Sequence, residues 1–155
     1  MHFRVTGLSP EPFQHLFGLC NEELKQEGAF RYIAEQGSAF PDRVELRDAE
    51  PGETLLLVNY THQPANTPYR ASHAIFVLEH SEKPYEASNE IPPALRSRTL
   101  SLRAFDEQDM IVDGDLIEGA QAEELIERMF AQPEVAYIHA HYARRGCYAA
   151  RIDRA

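Results

Sequence analysis

An α+β fold, built mainly on an antiparallel sheet with about three helical segments in a single domain, is the fold class this chain predicts. Three observations carry it. Segments with β-like patterning outnumber helical ones, seven or more against three. The two kinds do not alternate in the β-α-β manner that a doubly wound parallel sheet requires. The 155 residues also show no repeat, low-complexity tract or long linker. A chain of that length buries about 70% of the surface it exposes when unfolded, so one core suffices without disulfides or a structural metal.

The elements follow in order. Phe3 and Val5 alternate with polar neighbours and predict a short strand ending at Gly7. Ser9-Pro10 reads as a helix start, with the serine as N-cap and the proline at the first helical position. Phe13, Leu16, Phe17 and Cys20 recur at helical spacing, which assigns Cys20 to the core. Asn21 caps a second short helix, Glu22 to Glu27, which Gly28 stops.

Strands are predicted at 30–34, 43–46, 54–60, 74–78 and 99–105. Asp48-Ala49-Glu50-Pro51-Gly52-Glu53 carries reverse-turn chemistry and pairs 43–46 with 54–60 as a hairpin. Leu55-Leu56-Leu57-Val58 is apolar on both faces, as a central strand covered on both sides would be. The stretch His80 to Asn89 reads as a loop, and Ile91 to Leu95 as a short helical turn. Asp106 to Asp109 joins 99–105 to a strand at 110–117.

The clearest helix is Ala120 to Gln132. Its apolar stripe is Ala122, Leu125, Ile126, Met129 and Phe130, Glu124 and Arg128 form a surface pair, and Pro133 ends it. Strands 135–142 and 147–152 follow, joined by Ala143-Arg144-Arg145-Gly146, in which Gly146 supplies the left-handed residue.

Composition excludes several function classes. Lys+Arg total 15 against Asp+Glu 25, a net charge of −10, which disfavours nucleic acid and anionic membranes as partners. No apolar run approaches the roughly 20 residues that span a bilayer. The start, Met1-His2-Phe3-Arg4-Val5-Thr6, lacks the apolar core of about 7 to 15 residues of a secretory signal. Two cysteines make no disulfide framework, so a reduced, cytoplasmic protein is expected. Asn59-Tyr60-Thr61 is then a chance match to a glycosylation sequon. No Gly-x-Gly-x-x-Gly, Walker loop or Gly-x-Ser-x-Gly occurs.

The candidate chemistry concentrates near the carboxy terminus. On an extended segment Tyr137, His139 and His141 share one face. A His-x-His pair is a recurrent metal-ligand arrangement, which makes His139 and His141 the candidate metal ligands. A catalytic zinc wants a third ligand, for which His73, His62, Cys147 or an acid is available. Cys147 is a candidate nucleophile with His139 or His141 as base and Arg144 or Arg145 lowering the thiol pKa, although a small buried apolar group is its commoner role. On the return strand, strict alternation puts Cys147, Ala149 and Arg151 on one face and Tyr148, Ala150 and Ile152 on the other.

Two further groups suit ligand contacts. Arg144 and Arg145 form a basic pair in an acidic chain, where a planar guanidinium fits a carboxylate or phosphate, and a solvated hairpin tip is the plainer reading. Residues 59–73 carry two histidines, two tyrosines, two prolines and an arginine, making Tyr69, Arg70 and His73 candidate ligand contacts.

Taken together, the segments resemble a bacterial family known as domain of unknown function 1203. The resemblance is carried by Phe3-Arg4-Val5-Thr6-Gly7, Asp48 to Glu53, Pro68-Tyr69-Arg70-Ala71-Ser72, Ile75-Phe76-Val77, Leu102-Arg103-Ala104-Phe105-Asp106, His139-Ala140-His141 and Gly146-Cys147-Tyr148-Ala149-Ala150-Arg151. It implies a bacterial, single-domain protein and brings no activity, cofactor or catalytic residue with it. Members of that family often carry cysteine where this chain has Asp42, and asparagine where it has Tyr142, which weakens any metal or redox site built on those positions.

Two function classes result. The preferred one is a binding domain for a small molecule or a protein. The other is an enzyme using His139, His141 and Cys147, with or without a metal. Acid–base or nucleophilic roles demand mutual geometry that spacing alone does not establish, which favours the first. The sequence names no cofactor and no oligomeric state.

Overall fold

The structure is a computed structural model that describes residues 2–155. Its strands are β1 (Phe3–Thr6), β2 (Phe30–Ile33), β3 (Thr54–Gln63), β4 (Ala71–Leu78), β5 (Glu86–Ser88), β6 (Thr99–Phe105), β7 (Ile111–Glu118), β8 (Tyr137–Tyr142) and β9 (Tyr148–Arg154). The α-helices are α1 (Asn21–Gln26), α2 (Pro93–Arg96) and α3 (Ala122–Phe130), and two 3-10 turns lie at Glu11–Leu16 and Gly119–Gln121. The strands make two sheets, one in the order β5-β1-β9-β8-β6-β7 and one in the order β2-β3-β4, with every named pair antiparallel. The mainly antiparallel α+β class is the observed one, with the strands divided between two sheets.

Alternation along β8 sets up everything that follows. Ile138, Ala140 and Tyr142 face a core shared with Leu100, Leu102 and Ala104 of β6 and with Val5 of β1. The predicted stripe of α3 closes that core: Leu125, Ile126, Met129 and Phe130 are all buried. Burial of each such side chain contributes roughly 1.5–3 kcal/mol, so this one helix anchors its side of the sheet. The opposite face carries Tyr137, His139 and His141, and every residue of β8 is buried, so that face is covered too.

The small sheet supplies part of the cover. Its central strand β3 sends Leu56 and Val58 into a cluster with Phe13, Leu16, Leu24, Ile75 and Val77. Leu55 joins Ala34, Ala49 and Leu78 on the other side. The run read as doubly covered is therefore central, and its chemistry requires it.

Several local expectations are corrected. Residues 43–46 are not a strand, and the hairpin with 54–60 does not form: β3 pairs with β2 and β4 instead. The turn at Pro51-Gly52 is real, with Gly52 at φ +91, and it returns the chain to the end of β2, where Gly52 N–H donates to Ala34. Residues 41–48 are shaped by side chains. The buried Asp42 carboxylate accepts the Leu78 N–H at 2.7 Å and the Glu45 N–H, which fixes the loop without a ladder.

Cys20 is exposed, because the first helical turn ends before it and Gly18 (φ +79) reverses the chain. It stands at the N-cap of α1, where its own N–H donates to the Glu23 carboxylate. Part of the predicted loop 80–89 forms β5, and the polar segment after Asn59 continues β3 to Gln63 before it turns. Arg128 of α3 pairs with Asp115 of β7 at 3.1 Å, in place of the predicted Glu124.

Candidate functional site

β3 is ten residues long, and its last third crosses the histidine face of the large sheet. Its Tyr60 and His62 meet β8 and β9 there. The His62 ring centroid lies 4.9 Å from that of His141 and 6.4 Å from that of His139. It also stacks on Tyr148 at 5.5 Å with the planes 9° apart. Three histidines from two sheets thus share one aromatic cluster, to which Phe105 and Tyr137 add a stacked pair at 5.1 Å.

Beside this cluster lies a trough in two connected parts. The larger, about 470 Å³, runs over the polar faces of β1 and β9 and is walled by residues 7–9 and by Tyr60. The smaller, about 290 Å³, is lined by Gln63, Pro64, Asp109 and Tyr137 among others. His62, His139 and Arg151 line both parts and form the junction. Thr6 lies across the β1–β9 ladder from Arg151, and Arg4 from Asp153, so the floor alternates charge. Arg151 holds Asp153 at 2.9 Å and lies over the Tyr137 ring at 4.1 Å.

Burial decides the protonation of the histidines. Desolvation, with Arg103 and His73 adding repulsion, brings His62 down to about 4. Desolvation first, then His141 and Arg151, brings His139 to about 3. His141 also falls to about 3, burial outweighing the Gly146 carbonyl that accepts at its Nδ1 from 2.9 Å. All three are neutral at pH 7. The Nδ1 atoms of His62 and His139 are buried and have no hydrogen-bond partner.

The other candidates are placed elsewhere. Cys147 is buried in the core on the α3 side of the sheet, apart from the histidines. Its sulfur accepts from Arg43 Nη2 at 3.1 Å, while Arg43 Nε donates to the Tyr148 carbonyl at 2.7 Å and the guanidinium lies over Tyr142. Arg144 and Arg145 are exposed at the hairpin tip, and Tyr69, Arg70 and His73 also lie outside the trough lining. Asp42 and Tyr142 are likewise absent from that lining. Among the described residues no group of three His, Cys, Asp or Glu side chains is placed to hold a metal ion.

A β-bulge accounts for the main surprise. The β8–β9 register shifts between Ala140 and His141, so that His141 faces Tyr148 while His139 faces Arg151. The extra residue, Ala149, puts Tyr148 and Arg151 on the same face, against the strict alternation expected of this strand. Of the candidate third partners of the pair, His62 is the one that meets it. Nothing local in the sequence marked Tyr148, Arg151 or Gln63.

A model of the family described as "Protein of unknown function (DUF1203)" matches residues 39–154. The chain belongs to this family. The matched span includes His62, His139, Tyr148, Arg151 and Asp153, whereas Arg4, Thr6 and the wall at residues 7–9 precede it. No curated protein and no solved structure matches the chain. Among the described residues no helix is long and apolar enough to cross a membrane.

Proposed function

We propose that this member of the DUF1203 family is a binding domain for a small polar molecule, which it takes up in the trough where the two sheets meet. The observation that carries the reading is that His62, His139 and Arg151 line both hollows, with the buried Nδ1 atoms of the two histidines left without a partner. Buried polar atoms are normally satisfied, and a native exception calls for a missing partner. Concave sites with a few convergent polar groups are the usual places for small ligands. Neutral histidines serve such a site well, since each ring presents one donor and one acceptor.

The enzyme reading loses its proposed nucleophile, because Cys147 sits across the sheet from its intended base. His139 and His141 accordingly enter as binding and positioning groups. The test is a thermal-shift and calorimetric screen of small acids, amines and neutral polyols against the wild type and His139→Gln. A ligand that raises the melting temperature of the wild type, with at least tenfold weaker binding to His139→Gln, is expected. Ligands that bind both proteins equally would remove the trough as the site.

A further inference from the structure

We infer that β7 is a latent pairing edge for a second copy of this chain, held shut by the side chains of Asp113 and Asp115. Their carboxylates occupy the amides that another strand would have to bond.

β7 ends the large sheet, so one of its sides has no neighbouring strand. It is eight residues long, whereas β5 at the opposite end of the same sheet has three. An open edge of that length offers a row of N–H and C=O groups to any extended chain. It carries apolar surface as well, since Val112 is 39% exposed and Leu116 62%.

The ladder fixes which amides point outward. Thr99 and Phe105 of β6 accept from Ala143 and Ala136, so these carbonyls point to the β8 side. Alternate residues of an antiparallel strand bond opposite neighbours, which leaves Leu100, Leu102 and Ala104 to bond β7. Their partners there are Ile117, Asp115 and Asp113. Gly114 and Leu116, which alternate with these, therefore turn their N–H groups to the free edge.

Both of those amides are taken. Gly114 N–H donates to Asp113 Oδ1 at 2.8 Å, and Leu116 N–H donates to Asp115 Oδ1 at 2.8 Å. The second oxygens are held from the helix side of the sheet. Gln132 Nε2, just past α3, donates to Asp113 Oδ2 at 2.7 Å, and Arg128 Nη2 of α3 donates to Asp115 Oδ2 at 3.1 Å. Each carboxylate is thus fixed between the amide it caps and a side chain behind it. Local bonds of this kind compete directly with ladder bonds. An incoming strand would have to displace both caps and set its own carbonyls beside two negative charges.

The small sheet closes an edge with the same chemistry. β4 is its outer strand and is also eight residues long. There the Asp42 carboxylate accepts the Leu78 N–H at 2.7 Å, and Arg43 N–H donates to the Phe76 carbonyl at 3.1 Å. An aspartate therefore guards each of the two eight-residue edges, while the short β5 needs no guard.

The experiment uses the full chain at pH 7. Sedimentation over a concentration series compares the wild type with Asp113→Ala/Asp115→Ala, and amide hydrogen exchange follows Gly114 and Leu116 in each. The alanine pair should reach twice the wild-type mass, with exchange at those two amides slowed at least tenfold as they enter a ladder. Asp113→Asn/Asp115→Asn retains an acceptor oxygen at each position and should keep the wild-type mass. In the wild type itself, nuclear magnetic resonance should give both amide protons the shallow temperature coefficients of bonded groups.

An alanine pair that keeps the wild-type mass, or associates without slowing those amides, would overturn the inference. So would an asparagine pair that associates as tightly as the alanine pair, since charge rather than capping would then guard the edge. Steep wild-type coefficients, those of amides bonded only to water, would overturn it even where neither variant folds.

Discussion

Gln63 at the end of β3 donates from Nε2 to the hydroxyl of Tyr137 on β8 at 2.9 Å, and this buried contact ties the small sheet to the large one beside the trough. The Tyr137 hydroxyl in turn donates to Asp109 Oδ1 at 2.6 Å. Burial, reinforced by the Asp109 carboxylate, pushes the phenol up to about 12, so it remains a donor across the ordinary pH range. Tyr137→Phe strips both neighbours of their partner. Loss of a buried hydrogen bond with an unsatisfied group left behind costs about 1–3 kcal/mol. Urea unfolding should show a destabilisation in that range. Adding Gln63→Leu to the Tyr137→Phe variant should restore part of it by removing the stranded amide.

The sheet-to-sheet tie marks the limit of what the chain discloses on its own. Local patterning is sufficient for α3, for β6 and β8, and for the covered run in β3, because each depends on a hydrophobic period that neighbouring residues define. It also places His139 and His141 on one face. It misleads at 43–46, where the extended look of Arg43-Val44-Glu45-Leu46 yields to backbone bonds from Asp42, and Leu46 takes a positive φ of 54. Gln63, His62 and Arg103 meet the β8 histidines only through pairing of strands far apart in the chain. A bulge of one residue then turns Tyr148 and Arg151 to the same side. Such relations are tertiary, and no window of sequence contains them.

Glu79 anchors a second polar knot. Its carboxylate takes Arg31 Nε at 2.9 Å and Nη2 at 2.7 Å, Thr54 Oγ1 at 2.9 Å and the Gly18 N–H at 2.8 Å. With the Arg31 guanidinium foremost, these contacts hold it down at about 2. The side chain is only 4% exposed, so removing its charge leaves Arg31 with Asn21 and the Leu19 carbonyl but no counter-ion. Glu79→Gln should cost about 2–4 kcal/mol by urea unfolding at pH 7. The folded pKa is depressed, so the stabilisation is complete above about 4.5 and disappears as pH falls toward 2. The variant should therefore lose less than the wild type across that window.

Gly7 is fixed by space. A Cβ there would stand 2.1 Å from the Val44 carbonyl oxygen, a backbone atom that cannot swing aside. The approach is held by Gly7 N–H to Tyr85 at 2.9 Å and Leu8 N–H to Arg43 at 2.8 Å, which together set the wall of the larger hollow. Gly7→Ala should destabilise by about 1–3 kcal/mol through overpacking. It should also weaken any ligand that protects His139 in the wild type. Thr6→Ala, one residue away, should change stability by less than half as much in the same thermal melts.

The histidine cluster makes stability depend on pH between neutrality and mild acid. His139 is 4% exposed and His141 1%, and both titrate near 3 when folded against about 6.5 when unfolded. Their folded-state pKa is lowered, so the unfolded chain binds protons that the folded one refuses, and stability falls as pH drops below about 6.5. By pH 5 each withheld proton amounts to as much as about 2 kcal/mol. His62, at about 4, withholds a third proton at pH 5. The midpoint of urea unfolding should thus decline from pH 7 to pH 5, and His139→Gln should flatten that decline by about a third.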